Sequence, residues 1–191
     1  FQNNNLLFVK INLFKMKKYI GMGLVIMALF FVGCSNEDSS EGSASGTITA
    51  TINGTPWKGS KIVNVSLIQV KSIGEQRFDI SAQDGKQMLS LAFSSEITTK
   101  GMPVRTYSFD NDDALFLNTY LIGNSTFTEH SPVSGQLTIT AMDADKKTIS
   151  GTFSFQNEKV GTLQTEIVTP EMVNVTEGVF TNLSYKVITE K

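Results

Sequence analysis

From residue 46 onward, apolar side chains recur at every second position. Ile48, Ala50 and Ile52 alternate with threonines and run into Asn53-Gly54, a pair suited to the tight turn of a hairpin because both residues tolerate positive φ. Val63, Val65 and Leu67 form the next alternation, then Phe78, Ile80 and Ala82, then, after Asp84-Gly85, Leu89, Leu91 and Phe93. Four strands are written by that point. The turn-like Lys100-Gly101-Met102-Pro103 leads into a fifth strand over 104–109, and 114–121 reads as a sixth with apolar residues on both faces. Leu137, Ile139 and Ala141 point inward on a strand over 136–142. It pairs across the polar turn 143–147 with 148–155, where Ile149, Phe153 and Phe155 share one face. Strands over 162–168 and 179–187 complete the series, and no window beyond the leading apolar run has a helical period.

Roughly nine to ten short strands at regular spacing predict an all-β domain, a single antiparallel β-sandwich over residues 46–191. A closed barrel of lipocalin type is the alternative, because strands alternate in and out in both. A folded domain of about 140 residues buries nearly 70% of its extended surface, so it needs no disulfide.

The first 45 residues follow a different pattern. Met16 is followed by Lys17 and Lys18 and then by the apolar run Tyr19 to Val32, the layout of a bacterial secretory signal peptide over 16–33. Residues 1–15 then read as an upstream segment outside the native start. The run is short of the roughly 20 residues of a membrane-spanning helix. It ends in Phe31-Val32-Gly33-Cys34, which resembles a lipobox: small Gly33 admits the backbone to a peptidase that cuts between Gly33 and Cys34, and the Cys34 thiol takes a diacylglycerol. Phe31 departs from the usual Leu but keeps the large apolar side chain. Cys34 is the only cysteine in the chain, so it has no disulfide partner, and lipidation removes an otherwise oxidisable thiol. Each buried acyl methylene contributes about 0.8 kcal/mol, and two or three chains on one cysteine suffice for stable anchoring. Residues 34–45, Ser- and Glu-rich, form a flexible tether with a reach of about 18 Å.

Charge narrows the partners. Four of the 16 basic residues (Lys10, Lys15, Lys17 and Lys18) precede Cys34, whereas all 18 acidic residues follow it, so a chain cut before Cys34 carries a net charge of about −6. Such a surface, without a basic stripe, excludes nucleic acid as a partner class. The membrane is the expected partner, through the lipid. Glu37 and Asp38 behind the cysteine favour the outer membrane, with display on its outer face preferred over a periplasm-facing position.

Three segments carry a resemblance: T-I-T-A-T-I-N-G-T-P-W from Thr47, G-Q-L-T-I-T-A-M-D-A-D-K-K-T-I-S-G-T-F-S-F from Gly135, and V-N-V-T-E-G-V-F-T-N-L-S-Y from Val173. They are similar to a family of uncharacterised Bacteroidota lipoproteins, a domain of unknown function. The resemblance implies a surface or periplasmic β-domain and supplies no catalytic residues.

Residues able to carry chemistry are few. His130, the only histidine, lies beside Glu129 in the polar loop 123–135, where a solvated side chain is the ordinary outcome and a lone His makes a poor metal site. Asp110, Asp112 and Asp113 put oxygen ligands in one loop where calcium could sit, although the EF-hand spacing is missing and a solvated turn explains them equally. Asp143 and Asp145 suit a hairpin turn because Asp bonds nearby backbone N–H groups. Trp57, the only tryptophan, is either a platform for sugar stacking or a plug at the end of the core. No nucleophile elbow is present, and no catalytic residue or metal set is assigned. The expected role is therefore a non-catalytic module for a glycan, a peptide or an outer-membrane partner. The alternatives are a barrel-type carrier of a hydrophobic ligand, suggested by Leu115-Phe116-Leu117, and a glycan hydrolase acting through Asp or Glu.

Overall fold

The computed structural model describes residues 46–122, 125–127, 130–159 and 169–190. The segments expected as signal peptide and tether, Gly33 and Cys34 with them, and the strand expected over 162–168 lie outside them. Twelve strands are described: β1 (Thr47–Ile52), β2 (Thr55–Lys58), β3 (Lys61–Val70), β4 (Glu75–Asp84), β5 (Gln87–Glu96), β6 (Thr106–Ser108), β7 (Ala114–Ile122), β8 (Ser125–Phe127), β9 (His130–Asp143), β10 (Thr148–Lys159), β11 (Met172–Ser184) and β12 (Lys186–Glu190). They form two six-stranded sheets, ordered β2-β1-β11-β10-β9-β6 (sheet A) and β12-β3-β4-β5-β7-β8 (sheet B). The β-sandwich is as expected. Among the described residues each sheet ends in two strands paired on one side only, so the closed barrel is overturned, and the hydrophobic-carrier reading loses its scaffold.

Local chemistry sets the turns. Asn53 and Gly54 both take positive φ, 49° and 79°, in the two-residue link between β1 and β2, the mirror-image turn whose twist matches the strands it joins. Asp143 Oδ1 accepts from the N–H groups of Asp145 and Lys146 at 3.1 and 2.8 Å, as the turn reading required. Those bonds, with Lys146 nearby, hold its carboxyl below the usual carboxylate range.

The inner faces meet in one core. Phe78, Ile80, Leu89, Leu91, Phe93 and Phe116 of sheet B face Ile48, Leu137, Ile139, Phe155, Val175 and Phe180 of sheet A, all almost fully buried. Rings pack in pairs, Phe78 on Phe93 at 5.4 Å and Phe116 on Phe155 at 5.3 Å between centroids, worth about 1 kcal/mol each beyond the area they bury. Sheet A makes room for its rings with inward glycines. A Cβ on Gly135 would come within 2.5 Å of the Phe116 ring, and one on Gly151 would strike Phe180 and the Thr138 carbonyl.

Bulges break the expected alternation at two places. The β3–β4 register shifts between Ile62 and Asn64, so Ile62 packs on the core and Val63 stands 40% exposed. The β9–β10 register shifts between Ser150 and Gly151, which exposes Ala141 and brings Met142 against the core instead. One extra residue reverses the in–out assignment beyond it. A third difference is direction. The stretch expected as one strand over 179–187 is split: β11 ends at Ser184, the chain passes between the sheets at buried Tyr185, and β12 joins sheet B parallel to β3. No hairpin reverses the chain there, so its direction is inherited from β11.

Candidate functional site

The outward face of sheet A is a field of hydroxyls and amides. Strand pairing aligns Thr106, Thr138, Thr152 and Val179 in one row across β6, β9, β10 and β11, and Ser108, Gln136 and Ser154 in the next. A third row holds Ser134, Gln156 and Asn174. Alternation explains the composition: every second residue of these long strands faces water, and Thr, Ser, Gln and Asn satisfy both the pleat and the solvent. Two adjoining depressions lie in this face. One, of about 310 Å³, is lined by Thr138, Thr152, Glu177 and Val179; the other, of about 420 Å³, by Ser108, Asp110, Gln156, Asn174 and Thr176; Gln136 and Ser154 border both. The β10–β11 register shift between Phe153 and Phe155, where β11 carries one extra residue around Glu177, sits under them, and bulges bend and twist the strand that carries them.

Several of these side chains are held in place. The Thr106 and Thr138 hydroxyls bond each other at 2.8 Å, and Thr51 Oγ1 donates to Glu177 Oε2 at 2.8 Å. Glu177 has a φ of 53°, which turns its carboxylate along the sheet from the bulge in β11. Asn53 ties the far end, donating through Nδ2 to the Met172 carbonyl at 2.9 Å while its Oδ1 accepts from Asn174 N–H at 2.8 Å. Among the described residues, Asp110 and Glu177 are the only charged groups lining the depressions.

The residues singled out from sequence fall elsewhere, with one exception. Asp110 lines the larger depression. Asp113 is committed to its own loop: Oδ2 takes a 2.7 Å bond from Arg105 Nη1 and Oδ1 a 2.6 Å bond from Ser108 N–H. Asp112 sits in the turn at φ 59°, its N–H on the Phe109 carbonyl at 3.1 Å. A calcium ion at this loop would have to displace the Arg105 guanidinium, so the donor set does not fit the ion, and no cluster of metal-binding side chains occurs among the described residues. Arg105 also covers the Tyr107 ring at 3.9 Å. Burial pushes the Tyr107 phenol up to about 12, Arg105 opposing and Asp113 adding to the shift, and its hydroxyl donates to the Pro103 carbonyl at 2.8 Å.

Trp57 is a plug. It is 7% exposed, lies beside Gly59 and Ile48, and leaves its Nε1 without a partner; the stacking-platform reading is withdrawn. His130 corrects the solvated-loop expectation: it opens β9, is 3% exposed, and donates from Nε2 to the Pro170 carbonyl at 2.7 Å. Its neighbourhood is a polar end of the core. Asn118 accepts from Gln87 Nε2 at 2.8 Å, and Asn157 donates to the Phe116 carbonyl at 3.2 Å. Gln136, Ser154, Gln156 and Asn174, which shape the depressions, went unnamed in the sequence reading. Their signal was the abundance of Ser, Thr and Asn at outward positions, which marks a face but not a concavity.

Fold and surface together define a β-sandwich domain with a polar, shallowly concave sheet face. A family model, Domain of unknown function (DUF6252), matches residues 44–184, and the chain belongs to that family. Neither the comparison with curated proteins nor that with solved structures gave a match.

Proposed function

We propose that the protein is a lipid-anchored cell-envelope module, held to the outer membrane through Cys34, that binds an uncharged, hydroxyl-rich chain such as a glycan without transforming it. The observation that carries the binding reading is the pair of adjoining depressions on sheet A. Hydroxyls and amides both donate and accept, as sugar hydroxyls require. The described residues of the lining include no Lys or Arg, which favours an uncharged ligand over a phosphate or carboxylate. Each volume falls at the lower end of the range of ligand sites, about 300–1,000 Å³, and two end to end suit a linear oligosaccharide. Asp110 and Glu177 each take one depression, as hydrogen-bond acceptors for ring hydroxyls. The anchor rests on Gly33-Cys34 behind the apolar run and on the polar tether that follows.

Glycan-array binding by the full chain tests the site. Gln136→Ala, at the border of both depressions, is expected to lower glycan affinity at least tenfold, the worth of one to two lost hydrogen bonds, with unchanged folding by circular dichroism; undiminished binding removes the reading. Fractionation tests the anchor separately: Cys34→Ser is expected to move the protein from the membrane to the soluble fraction, and firm membrane association of that variant overturns it.

A further inference from the structure

The four edge strands among the described residues are not alike. β2 is four residues long and contains Pro56, and β6 and β8 are three residues each; these are the short or proline-blocked edges by which sheets avoid pairing with one another. β12 has none of these guards. It pairs with β3 through five residues in unbroken register, all five are exposed, and Val187 and Ile188 are 43% and 42% exposed. The Glu190 carbonyl accepts from Lys71 N–H at 3.4 Å, so by strand alternation Lys186, Ile188 and Glu190 turn their backbone groups to β3. Val187 and Thr189 then turn theirs to the open side.

We infer that β12 is the interface of a two-fold dimer, in which β12 of a second copy of this chain adds antiparallel to the free edge and joins the two B sheets into one. The sequence Lys186-Val187-Ile188-Thr189-Glu190 is complementary to itself in that arrangement. With the axis at Ile188, Lys186 stands opposite Glu190 of the second copy and Glu190 opposite its Lys186, while Val187 and Thr189 stand opposite each other. The Val187–Thr189 positions are the ones whose backbone groups face outward, so they become the hydrogen-bonded pairs of the new ladder, about four N–H···O bonds in all. Ile188 meets its counterpart in the intervening close pair, covering the exposed apolar side chain. A parallel partner, or a register moved by two residues, loses both charge pairs, and a lone Lys on an edge otherwise repels foreign strands. Charge complementarity thus selects a second copy over an unrelated strand. The surface is separate from the sheet A depressions, so dimerisation stands or falls independently of glycan binding.

Sedimentation velocity of the full chain in detergent micelles, over a dilution series, reads the association. The wild type is expected to show a reversible dimer with a dissociation constant in the micromolar range. Lys186→Glu and Glu190→Lys are each expected to weaken it roughly tenfold or more, since each places like charges opposite at two symmetric positions. An equimolar mixture of the two variants is expected to regain wild-type strength, because each copy then faces its complement. That recovery also shows that both variants are folded. Ile188→Cys in a Cys34→Ser background is expected to form an interchain disulfide on mild oxidation, the paired Cα atoms lying about 4.5 Å apart, and Thr189→Cys alone to do so far more slowly. A wild type that stays monomeric at every concentration leaves the edge to some other strand and overturns the inference. So does a dimer insensitive to charge reversal, or a mixture no tighter than either variant alone.

Discussion

Sheets A and B face each other across one core, yet they are built by different rules. In sheet B, the β4–β5 and β5–β7 registers run unbroken. In sheet A, β10 changes register twice against β11 and twice against β9, and β1 shifts once against β11. Inward Gly135 and Gly151 lie under phenylalanine rings at the same places. The outward faces differ accordingly. Sheet A shows Thr, Ser, Gln and Asn around shallow concavities, while β4 and β5 of sheet B carry the Arg77–Asp79 pair beside Ser81, Ser90 and Ala92. Irregularity in this fold is therefore concentrated where a surface has been shaped. Sheet B is the more regular of the two, with one register shift between β3 and β4, and its β12–β3 pairing is unbroken up to the edge.

Substitutions that flatten or fill the irregular sheet should cost most. Trp57→Ala empties the plug between β1–β2 and the core and is expected to lose about 4 kcal/mol in urea unfolding. Trp57→Phe, which removes the unpartnered Nε1 with less volume, is expected to lose markedly less. Gly151→Ala drives a methyl into Phe180 and the Thr138 carbonyl and is expected to cost about 3 kcal/mol, whereas Ser94→Ala at a regular position of β5 should stay within about 0.5 kcal/mol. If the two cost the same, the contrast between the sheets has no energetic content.

Sheet B has its own sensitive point. Burial holds the Asp79 carboxyl above its ordinary range against the pull of Arg77, whose Nη2 lies 3.0 Å from Oδ2. A group with a raised pKa favours the folded state most when protonated, so its contribution is present below the ordinary carboxylate pKa and is lost as pH rises through the folded value. Arg77→Ala is therefore expected to cost about 2 kcal/mol at neutral pH, with the deficit shrinking as pH falls and Asp79 takes up its proton; denaturant midpoints at several pH values check this. The smallest effect belongs to Tyr107. Its phenol, raised to about 12 by burial, contributes fully below pH 10 and loses that contribution between about pH 10 and 12. Ultraviolet titration is expected to show the buried Tyr107 ionising well above pH 10.

Much of this was legible in the chain. Phe78, Ile80, Leu89, Leu91 and Phe93 were placed correctly by alternation, because paired neighbours without bulges keep the period intact. Val63 and Ala141 were misplaced for the opposite reason: each lies next to a register shift, and a bulge is a property of the pairing between two strands rather than of either one. His130 was misread because its burial depends on the Pro170 carbonyl, forty residues away. The candidate site was the least legible part. Gln136, Ser154 and Asn174 look like any solvated strand positions until three strands set them side by side.

What the sequence determined alone was the class of fold and the hairpin turns at Asn53-Gly54 and Asp143. These depend on local φ preferences and on a period of two, which short stretches of chain already express. Only the tertiary structure decided the sheet order, the inward glycines under their rings, the depressions, and the parallel entry of β12 that leaves its edge open. Those features arise from the meeting of segments distant in the chain, and their energies reside in contacts that no single stretch contains.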